Sequence, residues 1–329
     1  MDEQFNPILN NPYDEPTRHY RNGPDGTLNY TKIDNGRRIF DPLISPIPIK
    51  SGEEQYIDVG SIHSNERHLI NEIRTEVKAW RESAYPQTTR ITKELLTYWF
   101  NNPIRARKLF FAQREAVETS IWLNEIAQRS NPGQNILNQI LHSQMINEKD
   151  SNFNLTRLAF KIATGGGKTV VMAMQILYHY LNRQEYRNDT RFADYFLVLA
   201  PGITIKDRLS VLRIDVTSLF NKQDYYNKMD LIPPQYSAQM PHLNSRIVIT
   251  NRHSLERKIY TGNKRSPLDG KVNKDGQKND DREDFNLVLR RVLGRFKRDS
   301  RLLIINDEGH HCYYPRDKKG DAEAKQENA

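Results

Sequence analysis

The sequence predicts an α/β fold: helices on both faces of a mostly parallel sheet, preceded by an irregular and then helical N-terminal segment. Three observations lead there. The runs RLAFKIA (157–163), YFLVLA (195–200), RIVIT (246–250) and RLLIIN (301–306) are apolar along their length. Strands covered on both faces read this way, whereas half-exposed strands alternate. A glycine-rich turn follows the first run and opens a stretch, 168–182, that is apolar nearly all round at Val170, Val171, Met174, Leu177 and Leu181. A buried crossover helix has that pattern. The apolar runs also alternate with helical stretches, as parallel strands require.

Taken in order, residues 1–63 are rich in Asn, Pro, Gly and Tyr and read as extended, irregular chain with a short strand or two. From Ser64, Leu69, Ile73, Val77 and Trp80 recur at helical spacing, and the helix stops before Pro86. A shorter helix spans about 89–100. A third, about 105–129, closes at Asn131-Pro132-Gly133, and a polar connector leads to the sheet. Residues 262–284 are almost free of apolar groups and read as a surface insertion; the tail after Tyr314 is equally polar. No internal repeat is present. The expected division is an N-terminal extension, 1–104, and a sheet domain, 105–329.

Composition narrows the function classes. With 49 basic against 41 acidic residues the net charge is +8, which suits a polyanionic partner and equally a plain basic surface. The single cysteine, Cys312, excludes an internal disulfide. The acidic, proline-bearing start lacks a secretory profile, and no apolar window is long enough to span a membrane. A cytoplasmic location is the expectation.

The chemistry sits in two stretches. In ATGGGKT (163–169), the glycines Gly165, Gly166 and Gly167, after Thr164, let backbone N–H groups converge on phosphates at a helix N-terminus. Lys168 would reach the β and γ oxygens and Thr169 would hold Mg²⁺. The general pattern has glycine six residues before the lysine, where this chain has Ile162. In LLIINDEGHHCYY (302–314), an apolar strand delivers Asp307 and Glu308 at its C-terminal end, where ligands collect in open α/β sheets. Asp307 would serve the same Mg²⁺ and Glu308 the attacking water. His310, His311 and Cys312 lack a second ligand pair at metal spacing, so no zinc site is expected.

ATGGGKT followed by DEGH resembles motifs I and II of superfamily-two helicases and translocases, with DEAD/DEAH-like and type III restriction enzyme Res subunits most alike. That branch carries an apolar residue at the first motif glycine, so Ile162 fits it. FFAQREAVET (110–119) resembles the segment whose glutamine, here Gln113, reads adenine. LAPGITIKDRL (199–209) and VITNRHSLERK (248–258) resemble motifs Ia and Ib, implying nucleic-acid contact through Lys206, Arg208, Asn251 and His253. The resemblance also implies a RecA-like P-loop domain, ATP and Mg²⁺ as cofactors, and His310 coupling the nucleotide to the nucleic acid. It implies duplex DNA, with RNA as the alternative, and a modification (methyltransferase) subunit as partner. Motifs IV–VI and a nuclease do not occur in the sequence. The expectation is therefore the first motor portion, hydrolysing ATP poorly without a downstream portion; a non-catalytic binding remnant is the other reading.

Overall fold

The computed structural model describes residues 8–22, 28–40, 59–103, 105, 107–147, 157–217, 222–258, 283–294, 296 and 300–308. The chain divides into two compact units, Met1–Gln175 and Ile176–Ala329.

The first unit opens with an antiparallel ribbon of β1 (Arg18–Asn22) and β2 (Leu28–Asn35), its register shifting between Tyr20 and Arg21. Helices follow: α1 (Val59–Glu82), α2 (Arg90–Phe100), α3 (Phe111–Ile121) and α4 (Asn131–Asn147). α1 packs against α3 and α4. The core holds Val77 and Trp80 of α1, Leu95, Leu96 and Trp99 of α2, and Val117 and Ile121 of α3, all buried. Their three- and four-residue spacing keeps them on inward faces.

Two buried carboxylates organise this helical layer. Glu118 of α3 accepts from Arg81 (2.7 Å), Arg114 (2.8 Å) and the Tyr85 hydroxyl (2.5 Å). Burial, reinforced by the Glu118 charge, raises the Tyr85 phenol well above its ordinary pKa. Glu125 accepts from the Thr89 backbone N–H at 2.9 Å and the Thr92 hydroxyl at 2.6 Å. It thus places a negative charge at the N-terminus of α2, where the helix dipole favours one.

The expected helix over 105–129 starts later and is not uniform. It is α3 from Phe111, a π turn at Trp122–Ile126 and a 3₁₀ turn at Ala127–Arg129. The polar connector contains α4. The Pro-Gly pair that reads as a stop is instead its first turn, where N–H groups have no intrahelical acceptor and proline loses nothing. The Ser130 hydroxyl caps it by accepting from the Gly133 N–H at 3.2 Å. The strand expected at 157–163 does not form. Among the described residues no strand ladders with it, and Leu158 and Phe160 stay exposed. An apolar run becomes a strand only against a partner edge.

The division between the units falls within α5 (Lys168–Glu185). The second unit is built on three parallel strands, β3 (Tyr195–Ala200), β4 (Ile247–Asn251) and β5 (Leu302–Asn306), in the order β4-β3-β5. β3 is central, with Tyr195, Phe196, Leu197 and Val198 buried on both faces. The connections between them carry α6 (Ile203–Arg208), α7 (Tyr225–Lys228), 3₁₀ segments at Pro234–Arg246 and Arg252–Leu255, and α8 (Phe285–Leu293). Ile176, Leu177 and Leu181 of α5 are buried with Phe192, Phe196 and Leu243. The protein is α/β, with a parallel sheet and helices after an irregular N-terminal segment. Among the described residues, no helix is long and apolar enough to cross a membrane. Residues 262–282 of the insertion expected at 262–284, and the triplet His310, His311, Cys312, lie outside the described residues.

Candidate functional site

The glycine turn belongs to the first unit. Gly165 and Gly167 have φ of +80° and +78°, the left-handed region that a side chain resists. The Gly166 N–H closes the turn on the Ala163 carbonyl at 3.0 Å. A Cβ on Gly166 would lie 2.7 Å from Cγ2 of Ile162, so the apolar residue at the motif's first glycine position packs against the turn from below. α5 begins at once: the Val170 and Val171 N–H groups both donate to the Gly167 carbonyl, at 3.0 and 3.3 Å. Val170 and Val171 are buried, while Lys168 and Thr169 keep partial exposure on the first helical turn. This is the layout an anion needs: left-handed glycines, then helix N–H groups with the dipole's positive end.

Gln113 meets this turn. It stands in the first turn of α3 and is 3% exposed. Its Oε1 accepts from the Phe110 backbone N–H at 2.9 Å, and its Nε2 donates to the carbonyls of Gly166 (3.2 Å) and Gly167 (3.5 Å). The start of α3 is held in turn by the N-terminal segment, to which sequence reasoning gave no chemistry. The Phe111 N–H donates to the Pro12 carbonyl at 2.8 Å, Tyr13 stacks on Phe110, and Arg37 pairs with Glu115. No sequence spacing signals these contacts.

The remaining candidates belong to the second unit, and the sheet gathers them along one end. Parallel strands deliver their C-termini to the same edge. Ala200 stands opposite Asn251, and Leu199 opposite Asn306. Beyond β3, α6 exposes Lys206 and Arg208. Beyond β4, Asn251 caps the next turn, its Oδ1 accepting from the Ser254 N–H at 3.0 Å, and the exposed His253 bonds Glu256 at 3.1 Å. Beyond β5 come Asp307 and Glu308, both partly exposed; the Asp307 N–H donates to the Leu199 carbonyl at 2.9 Å. Glu308 has φ +54°. Among the described residues, no three His, Cys, Asp or Glu side chains group as a metal cluster.

One buried titratable group supports the sheet. His179 of α5 is enclosed with Tyr178 and Phe192, and burial lowers its pKa to about 4. Its Nδ1 accepts from the Ala193 N–H at 3.2 Å, so the neutral ring carries its proton on Nε2.

Comparison with known families matches residues 106–327 to the family described as Type III restriction enzyme, res subunit. Searches of curated proteins and of solved structures return no match. The family match covers more than half of the chain and includes the glycine turn, α6, β4 and the acidic pair. The chain belongs to the type III restriction enzyme res subunit family, and its fold is the RecA-like P-loop domain of a helicase-like superfamily-two motor.

Proposed function

We propose that residues 105–329 form an ATP-binding motor domain acting on duplex DNA within a restriction-type system, with residues 1–104 as its N-terminal extension. The observation that carries the reading is the glycine turn. Two left-handed glycines lead straight into the N-terminus of a long buried helix, with Lys168 and Thr169 on the accessible side of its first turn. In this reading the backbone of Thr164–Gly167 cradles the triphosphate and Lys168 neutralises its terminal oxygens. Asp307 and Thr169 offer the hard oxygen donors that Mg²⁺ takes, and that ion would balance phosphate charge. Glu308 orients water. Lys206, Arg208, Asn251 and His253 face the DNA backbone, and His310 links nucleotide to nucleic acid. A methyltransferase subunit is the expected protein partner, in the cytoplasm.

The test is direct titration. A fluorescent ATP analogue with Mg²⁺ should bind the chain, and Lys168→Ala should weaken it roughly 10- to 100-fold, the value of a charge-assisted contact. Competition among duplex DNA, single strands and RNA follows. Tightest binding to duplex DNA supports the proposal; a preference for RNA, or no nucleotide binding at all, removes it.

A further inference from the structure

Gln113 occupies the position whose amide the family resemblance assigns to the adenine base, yet its hydrogen bonds run elsewhere. Resting on the phosphate-loop reading above, we propose that Gln113 is a positioning residue. Its amide sets the direction of the loop's phosphate-facing N–H groups and transmits to them the packing of the N-terminal segment.

A trans peptide is planar, so its C=O and N–H point in opposite directions. Nε2 of Gln113 draws the Gly166 and Gly167 carbonyls toward α3. The N–H groups of the same two peptide planes, those of Gly167 and Lys168, must therefore leave on the opposite side. The grip on the second plane is double, because the Gly167 carbonyl also accepts from Val170 and Val171 at the start of α5. Oε1 is committed as well: it caps α3 by accepting from Phe110. At 3% exposure, with Nε2 donating to two carbonyls and Oε1 accepting from Phe110, the amide is turned to the loop. A Cβ at position 167 would fall 2.0 Å from Nε2, so a side chain there would displace the Gln113 amide, while the φ of +78° itself favours glycine.

The same amide is the last link of a chain of contacts. The Pro12 carbonyl holds the Phe111 N–H, the Tyr13 ring stacks on Phe110 at 5.4 Å, the Phe110 N–H meets Oε1, and Nε2 meets the loop. Residues 12–13, far from the motif in sequence, thus bear on the loop through a single side chain.

The experiment compares wild type with Gln113→Met, which keeps the bulk and removes both bonds, and with Gln113→Ala. Three probes are titrated with Mg²⁺: an ATP analogue, the matching GTP analogue and inorganic tripolyphosphate. Hydrogen exchange of residues 164–169 is followed without ligand. The proposal expects all three probes to weaken by the same factor, about 5- to 15-fold for the loss of one or two buried bonds. Exchange should quicken at 164–169 and stay unchanged at 172–185. A loss confined to the ATP analogue, or unchanged affinity for every probe, overturns it. So does faster exchange throughout α5, which would mark loosened folding instead of loop positioning. If wild type binds none of the probes, the phosphate-loop reading fails with it; binding by wild type and a base-selective loss in the variants sinks the Gln113 role alone.

Discussion

The Asp307 backbone N–H donates to the Leu199 carbonyl at 2.9 Å, continuing the β3–β5 ladder one residue past its last rung at Asn306. That bond ties the acidic pair to the central strand and leaves the next residue to turn the chain. Glu308 makes the turn at φ +54°, where a side chain other than glycine or asparagine carries a strain of about 1 kcal/mol. Glu308→Asn should therefore raise stability by roughly 0.5–1 kcal/mol while deleting the carboxylate. Chemical denaturation checks this: a variant less stable than wild type would show that the turn is not strained.

Stability should fall on mild acidification because of His179. The folded pKa of about 4 lies below the ordinary 6.5, so between these values the unfolded chain binds a proton that the fold does not. Its share of stability is full above pH 6.5, erodes as pH falls toward 4, and declines no further below. The span corresponds to roughly 3 kcal/mol. His179→Gln, which can still accept from the Ala193 N–H, should flatten that slope in melts taken from pH 7 to pH 4.5.

Removing the Glu118 carboxylate should be among the most damaging single changes in the helical layer. Arg81, Arg114 and the Tyr85 hydroxyl all donate to it, and its side chain is fully buried. Glu118→Ala takes the carboxylate from Arg114 and leaves Arg81 to its longer pair with Glu15 at 3.5 Å, a loss of about 3–5 kcal/mol. A thermal melt detects it as a fall of many degrees; Glu94→Ala, at an exposed pair with Arg90, should shift little.

If α6 meets a nucleic-acid backbone, its two cations should appear in the salt dependence. Lys206→Ala with Arg208→Ala should reduce the slope of log affinity against log salt by about two on duplex DNA, nearly equally across sequences. A slope unchanged by both substitutions would remove α6 from the interface.

The sheet was the most legible part of the fold. The runs at 195–200, 246–250 and 301–306 form β3, β4 and β5 within a residue; β3 is buried on both faces, as its apolar run predicts, whereas Leu302 and Ile304 of β5 stay exposed. The run at 157–163 is also apolar, yet among the described residues no strand ladders with it and Leu158 and Phe160 stay exposed, since composition does not report the presence of an edge to pair with. α4 was missed because Pro132 and Gly133 punctuate a chain equally well at a helix start and a helix stop. Only the Ser130 cap decides between them. In the candidate site, the spacing of ATGGGKT disclosed the turn but not the amide that holds it. Gln113 lies 54 residues upstream of Gly167, and pairs so distant leave no local periodicity. The contacts of Pro12 and Tyr13 with the start of α3 were invisible for the same reason.

β3 is laddered on both flanks, so it acts as a shared ruler for the chain segments leaving that end of the sheet. Losing one residue from β3 would draw the start of α6 back by about 3.3 Å against Asn251 and Asp307 simultaneously. It would also turn every buried side chain of the strand to the opposite face. Length variation among related chains should therefore collect in the stretches between the strands and spare the six residues from Tyr195 to Ala200.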